Sequence, residues 1–207
     1  MTVKQNKLDK ERLFLTPFSY WVEGNILAAG EYPGNQYSFN PATTLATLAH
    51  QFVAMKRYGL GVNNFASWKI SKLLDAGITT FIDLTMDGER PRYEPMLHRE
   101  RRRRGKRTEY YRFPIIDRNI PETHVMNNIL DLIDQKISDG ESVYVHCFRG
   151  LGRTGIVVAC YLIRKGMPNE EALKYIPNLR KGVAGDFRAS PETDIQRQFV
   201  LNWNDKD

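Results

Sequence analysis

The chain has 207 residues, 42% hydrophobic and 26% charged, which suits one well-cored α/β-sized domain and leaves little room for two. Seven basic residues and one acid lie between positions 99 and 107, and the remaining 23 basic and 23 acidic residues cancel. The net charge of +6 is thus one local cluster, which excludes a cationic nucleic-acid footprint spread over the surface. No apolar run approaches the roughly 18 residues that span a bilayer, and residues 13–30 are interrupted by Pro17, Glu23 and Asn25. The N-terminus lacks the apolar core and small-residue cleavage site of a signal peptide, so a cytoplasmic location is expected. Two cysteines, Cys147 and Cys160, suggest neither a disulfide framework nor a cysteine-based zinc site.

In chain order, residues 1–40 read as an irregular arm punctuated by Pro17, Gly24, Gly30, Pro33 and Gly34. Residues 43–57 place Leu45, Leu48, Phe52, Val53 and Met55 among helix formers, and residues 67–76 form a second helix that stops at Gly77. Residues 78–84 and 110–116 are short apolar runs and read as strands. From 121 to 138, Val125, Ile129, Ile133 and Ile137 recur every fourth residue before Gly140, a helical stripe and its stop. A strand over 142–146 leads into a helix over 152–165, and helices near 169–181 and 191–203 complete the chain. Strands alternating with helices predict an α/β fold, a central mixed or parallel sheet flanked by helices. No repeat, linker or boundary divides it. Residues 1–207 are therefore expected to form one domain, with its core in 65–203.

The chemistry is concentrated in HCFRGLGRTG, residues 146–155. A strand runs into Cys147, a glycine-bearing loop follows, and Arg153 opens a helix. Glycines let successive N–H groups curl inward, the helix N-terminus adds partial positive charge, and a guanidinium fork can hold two oxygens of a dianion. Phe148, Arg149, Gly150, Leu151, Gly152 and Arg153 would together cradle a phosphate. A thiol inside such a cradle is expected to ionise at neutral pH and face phosphorus as a nucleophile. Cys160, mid-helix among Val157, Val158 and Tyr161, reads as a small core residue. His146 is either a loop-orienting hydrogen bonder or an ordinary satisfied core histidine.

This segment resembles the His-Cys-x5-Arg-Thr signature of the cysteine-dependent protein tyrosine phosphatase superfamily, and the short chain with its downstream helices resembles the dual-specificity-like branch. The similarity covers roughly residues 65–203, and WVEGNILAAGEYPGN also resembles the lead-in strand and turn of some compact members. The resemblance implies a cysteinyl-phosphate formed at Cys147 and hydrolysed without metal or cofactor. It implies phosphate binding by Arg153 and a Thr154 hydroxyl hydrogen-bonded to the thiolate.

Ester cleavage also needs a proton for the departing oxygen. Asp117, at a loop tip 30 residues before Cys147, resembles the family's Pro-x-x-Asp acid; Asp186 and Asp83 are its rivals, and turn punctuation or helix capping its bland alternative. Gln196 lies with Phe199, Val200 and Trp203 on one helical face. It resembles the family glutamine that positions the hydrolytic water, with Gln198 as the rival.

The resulting expectation is a metal-independent phosphatase acting on phosphotyrosine in proteins, with phosphoserine and phosphothreonine as further candidates. The alternatives are a phosphatase of a non-protein phosphate, such as a phosphoinositide or an RNA 5′ end, and a catalytically dead phosphate-binding module. One arginine and no lysine inside the loop weighs against a lipid. The basic run at 99–107 reads as a solvated helix end, or else as a dock for an acidic protein, RNA or anionic headgroups. No obligate nucleic acid is expected.

Overall fold

The computed structural model describes residues 15–34, 65–105 and 107–205. Five strands run β1 (Ser19–Glu23), β2 (Leu27–Gly30), β3 (Ile78–Asp83), β4 (Glu109–Arg112) and β5 (Ser142–His146). Six helices are described: α1 (Phe65–Asp75), α2 (Glu94–Arg104), α3 (Thr123–Ser138), α4 (Gly152–Arg164), α5 (Asn169–Leu179) and α6 (Asp194–Leu201). The sheet order is β1-β2-β5-β3-β4. β1 and β2 form an antiparallel hairpin, while β2, β5, β3 and β4 pair in parallel. The mixed α/β sheet is the one expected.

Alternation along the strands explains the layering. Tyr20, Val22, Ala29, Ile82, Val143 and Val145 face one core with α3, α4 and α5, whereas Trp21, Ala28, Phe81 and Tyr144 face a second core with α1 and α2. α4 is buried from Gly152 to Leu162, and it packs on α3, α5 and α6. A helix covered all round reads as apolar all round, and GIVVACYLI does. All four parallel strands end on one side of the sheet, at Gly30, Asp83, Arg112 and His146. In open α/β sheets that is the edge where ligands bind.

Two expectations need correction, the irregular arm at 19–30 and the length of the strand at 110–116. Residues 19–30 are not an irregular arm but a sheet hairpin, and β2 lies beside β5 at the centre of the sheet. Residues 94–104 are helical, so the basic run is the helix end that it reads as. The helix expected over 43–57 lies outside the described residues. The strand expected over 110–116 is shorter, at Glu109–Arg112, because Pro114 cannot donate to a ladder.

The basic run forms the second half of α2 and ends at Gly105, whose φ of 62° closes a left-handed cap. Cations there suit the helix C-terminus. Arg101 donates to the Thr108 carbonyl at 3.1 Å, Arg103 pairs with the buried Glu100 at 3.2 Å, and Arg104 reaches Asp75 and Ser71. Much of the cluster thus fastens α2 to α1 and to the segment entering β4, while Arg99 and Arg102 point outward. No helix among the described residues is long and apolar enough to cross a membrane.

Candidate active site

Residues 147–153 connect β5 to α4 at the carboxyl edge of the sheet. The loop is braced from three directions. Tyr32 N–H donates to the Phe148 carbonyl at 3.1 Å, and Ser190 Oγ donates to the Leu151 carbonyl at 2.7 Å. From below, Gly150, at φ 68°, lies so near the end of β2 that a Cβ would stand 2.4 Å from the Gly30 carbonyl carbon. Among the described residues no backbone carbonyl accepts the N–H groups of Phe148, Arg149, Gly150 or Leu151. Curled N–H groups of this kind make an anion cradle, and Cys147 lies at its base, 3% exposed.

Arg153 follows the cradle in the first turn of α4. Its two terminal nitrogens donate to the two Glu89 carboxylate oxygens, each at 2.7 Å, and Nη1 also reaches the carbonyls of Ile115 and Leu84 at 3.1 and 3.3 Å. Nη2 lies 2.8 Å from Asp117 Oδ1. Its Nε is buried with no partner. Burial disfavours the Arg153 charge, but the Glu89 fork and the nearby Cys147 and Asp117 more than offset this and push its pKa up. Burial pushes the Glu89 carboxyl up too, yet Arg153 and the Met86 N–H outweigh it and hold Glu89 below the usual carboxylate range. The chain thus spends a bidentate ion pair on fixing the plane of one guanidinium.

Asp117 reaches this point across 36 positions of sequence with its side chain 62% exposed. Its loop is tied to the N-terminus of α6. Gln196 Nε2 donates to the Asn119 carbonyl at 3.1 Å, and Thr193 Oγ1 donates to the Arg118 carbonyl at 3.3 Å. Arg118 itself sits at φ 62°, uncommon for a side chain with a Cβ. Gln196 is fully buried and completes a capping box with Thr193. Its Oε1 accepts the N–H groups of Glu192 and Thr193 at 3.0 and 3.1 Å. The same amide fills the space over Gly152, where a Cβ would meet it at 2.8 Å. Gln198 is directed elsewhere, to Asn202 at 3.0 Å.

The rival acids are occupied away from Arg153. Asp186 accepts the Gly182 N–H at 2.8 Å within its own loop. Asp83 is buried and holds the Thr85 N–H, the Thr85 hydroxyl and the Tyr110 hydroxyl at 2.7–2.8 Å. His146 is fully buried, with Nε2 2.8 Å from the Tyr93 hydroxyl and Nδ1 3.4 Å from the Cys147 carbonyl. Burial pushes its pKa down, against the nearby Asp83 carboxylate. Both readings of His146 therefore describe one residue, satisfied in the core and touching the Cys147 backbone. Thr154 Oγ1 is buried and has no hydrogen-bond partner, so the contact with Cys147 implied by the resemblance is not formed here. Cys160 lies in the core, and burial pushes its thiol well above the ordinary range.

Sequence reading missed Glu89 and Tyr93. Met86-Asp87-Gly88-Glu89 looks like any acidic turn, and no local signal marks its second acid as the partner of Arg153. Among the described residues no group of three or more His, Cys, Asp or Glu side chains converges as a metal site would require.

Comparison with known proteins identifies the family. A family model described as a polymorphic toxin system DSP-PTPase phosphatase matches residues 53–167, more than half of the chain. A relative from Arabidopsis thaliana, named phosphatidylinositol 3,4,5-trisphosphate 3-phosphatase and protein-tyrosine-phosphatase PTEN1, is 32% identical over 96 residues, which is 45% of this chain and 22% of that protein. The protein tyrosine phosphatase type IVA 3 of Bos taurus is 39% identical over 72 residues, 34% of this chain and 42% of that protein. The chain spans less than half the length of these curated relatives. Among solved structures, Tk-PTP in its active form superposes with a TM-score of 0.58 at 20% identity, covering 89% of this chain and 94% of the other. The kinase-associated phosphatase superposes with a TM-score of 0.59 at 18% identity, covering 87% and 86%. At those identities the structures establish a shared fold. With the family match spanning both Asp117 and the cradle, the chain belongs to the DSP-PTPase phosphatases of polymorphic toxin systems, within the cysteine-dependent protein tyrosine phosphatase superfamily.

Proposed function

We propose that this phosphatase hydrolyses phosphotyrosine in proteins through a phosphorylated Cys147. The observation that carries the reading is the meeting of Asp117 with Arg153 at 2.8 Å over a cradle with a cysteine at its base. In the first step the Cys147 thiolate forms a bond to phosphorus while the bond to the tyrosine oxygen breaks. Protonated Asp117 gives its proton to that departing oxygen. Arg153, with its plane set by Glu89 and its Nε unpartnered, binds the equatorial oxygens together with the loop N–H groups. In the second step water attacks phosphorus, Asp117 takes its proton, and sulfur leaves as thiolate. Gln196 has one Nε2 hydrogen left after its bond to Asn119, and it can orient that water. A rotation of the buried Thr154 hydroxyl toward sulfur would stabilise the leaving thiolate.

The depth of Cys147 supports an aryl phosphate, because a tyrosyl ester reaches further than a seryl one. A second reading, a phosphoinositide substrate, draws support from the name of the Arabidopsis relative, which joins lipid and protein activities. A single phosphatase domain over 1–207 is part of the same proposal. Turnover of matched phosphotyrosine, phosphoserine and phosphothreonine peptides, inositol lipids and RNA 5′-phosphates tests the assignment. A phosphotyrosine peptide should have the highest kcat/KM. A lipid or RNA end surpassing it by tenfold would replace the reading.

A further inference from the structure

α1 and α2 pack together, and a groove of about 570 Å³ runs between them. Ser67 and Ser71, one turn apart on α1, line it with the Trp68 ring, and Arg99, Arg103 and Arg104 line it from α2. Arg103 and Arg104 both pair with Glu100, at 3.2 and 3.7 Å, and Arg104 also binds Asp75 and the Ser71 hydroxyl. Two acids thus answer two arginines. Across the α2 ridge, Arg102 lines a second depression of about 460 Å³ with Arg92 and His98, and there Glu94 is held by Arg92 at 2.5 Å. Arg99 and Arg102 are exposed, and among the described residues neither meets a carboxylate. Arg103 keeps its side chain 72% exposed, with donors to spare beyond its bond to Glu100. Like charges one turn apart on a helix repel one another, and an anion relieves this.

We propose that this ridge, with Arg99 and Arg102 as its open charges, is a docking surface for an acidic stretch of the protein substrate, remote in sequence from the phosphotyrosine. The inference rests on the phosphotyrosine reading above. Spacing favours an extended acidic chain. Side chains two apart on one face of such a chain stand about 6.6 Å apart, and Arg99 and Arg103, four apart on a helix, stand about 6 Å apart along its axis. Carboxylates also match the guanidinium fork. The extent of the patch disfavours other polyanions. Nucleic-acid binding draws on about 6–10 phosphate contacts, whereas here two arginines are open, and the charges outside 99–107 cancel. A membrane-binding face sets apolar side chains beside its cations. Among the described residues the exposed large apolar side chains are Met86, Ile116, Tyr175, Phe187, Ile195 and Leu201, and none lies on α1 or α2. β3 and β4 are parallel, so α2 returns from the carboxyl edge of the sheet toward the opposite edge. Its 11 residues span about 16 Å, which sets its basic half away from the cradle. Docking there tethers the substrate and leaves the chemistry at Cys147 unchanged.

The test has a binding arm and a kinetic arm. In the first, a labelled hexaglutamate peptide and its hexaglutamine counterpart are titrated with the full chain. Wild type should bind the glutamate peptide about tenfold more tightly, with the gap closing as salt rises. Arg99→Gln combined with Arg102→Gln should remove most of that gap. Both positions are exposed and lie outside the catalytic machinery, so turnover of an aryl phosphate should stay at the wild-type value. Arg99→Glu alone is the second variant should the double one fold poorly. In the kinetic arm a phosphotyrosine peptide carries either hexapeptide behind a spacer of about eight residues, enough to pass the length of α2 at about 3.3 Å per residue. The glutamate version should have a KM about five- to tenfold lower at equal kcat, and the arginine variants should lose that advantage. Equal affinity for the two hexapeptides, or a gap that survives both variants, would overturn the docking surface. Binding with no advantage in KM would overturn the substrate as the occupant. RNA hexanucleotides or phosphatidylserine vesicles bound about tenfold more tightly than hexaglutamate, with the same dependence on Arg99 and Arg102, would overturn an acidic protein. Failure on every phosphotyrosine peptide, with aryl phosphate turnover and hexaglutamate binding intact, would refute the phosphotyrosine reading while the docking surface stands.

Discussion

Replacing Glu89 with glutamine removes the support of Arg153 without touching the cradle. In the native pair two charge-assisted hydrogen bonds of 2.7 Å join side chains that are 1% and 17% exposed. Breaking a fully buried pair costs roughly 3–5 kcal/mol. Glu89 is partly solvated, and glutamine keeps one acceptor, so about 2 kcal/mol of stability should be lost. For a chain of this size that is a fall in Tm of about 4–8 °C. The effect on turnover should be larger. An Arg153 fork no longer held in plane misplaces the donors for the equatorial oxygens, and kcat/KM should fall about 100-fold. Glu89 has its carboxyl held below the ordinary 4.5 by Arg153, after burial has pushed the other way. Its contribution is therefore full above about 4.5, the unfolded value, and is lost as pH falls through the lower folded value. Assays at pH 6–8 thus see the intact pair. The measurements are aryl phosphate kinetics, vanadate affinity and thermal unfolding of both proteins. Vanadate affinity and kcat/KM within twofold of wild type would refute the positioning role, even if Tm falls.

Other perturbations separate the parts of the site. Asp117→Asn should cost little on an aryl phosphate that releases an acidic phenol and roughly 10²–10⁴-fold on one that releases a basic alkoxide; the slope of rate against leaving-group pKa checks this, with Asp186→Asn as the unaffected control. Gly150→Ala should unfold the cradle, since a left-handed residue with a Cβ costs about 1–2 kcal/mol before its clash with the Gly30 backbone; vanadate titration should show binding lost. At the sheet edge, hydrogen bonds from Lys136 and Tyr111 depress the Glu109 pKa to about 2. Its stabilisation is present above the unfolded value near 4.5 and lost as pH falls toward 2. Glu109→Gln should therefore cost about 1 kcal/mol at pH 7 and flatten the acid limb of urea stability; an unchanged acid limb would contradict the pairing.

Much of the catalytic half was legible in the sequence because its signals are local. A strand, a cysteine, glycines and an arginine at a helix start follow one another in ten residues. The i, i+4 stripe of α3 and the apolar run of β5 likewise declare themselves. The hairpin at 19–30 was hidden because Ala28, Ala29 and Gly30 are small for a reason no window contains. Gly150 packs against Gly30, where a Cβ on Gly30 would itself collide with the Phe18 carbonyl and the Tyr144 hydroxyl. Of α2 only the basic end was legible, because only Leu97 and Glu100 are buried along it and no apolar period marks its start. Glu89 was invisible for a third reason. Its partner lies 64 positions away in the sequence, and only the parallel order β5-β3 brings that loop to the cradle. Gln196 was read from its helical face and a resemblance, but its bond to Asn119 and its position over Gly152 are tertiary facts.

The central claim is that phosphate passes through sulfur at Cys147. Acid quenching during turnover of an aryl phosphate, followed by mass spectrometry of the peptide that carries residue 147, tests it directly. The expected result is one phosphoryl group on Cys147, formed in the first turnover, lost on further incubation, and absent from Cys147→Ser, which should bind vanadate without turning over substrate. Turnover by Cys147→Ser within tenfold of wild type, or a burst of phenol with the phosphoryl group on another residue, would contradict it.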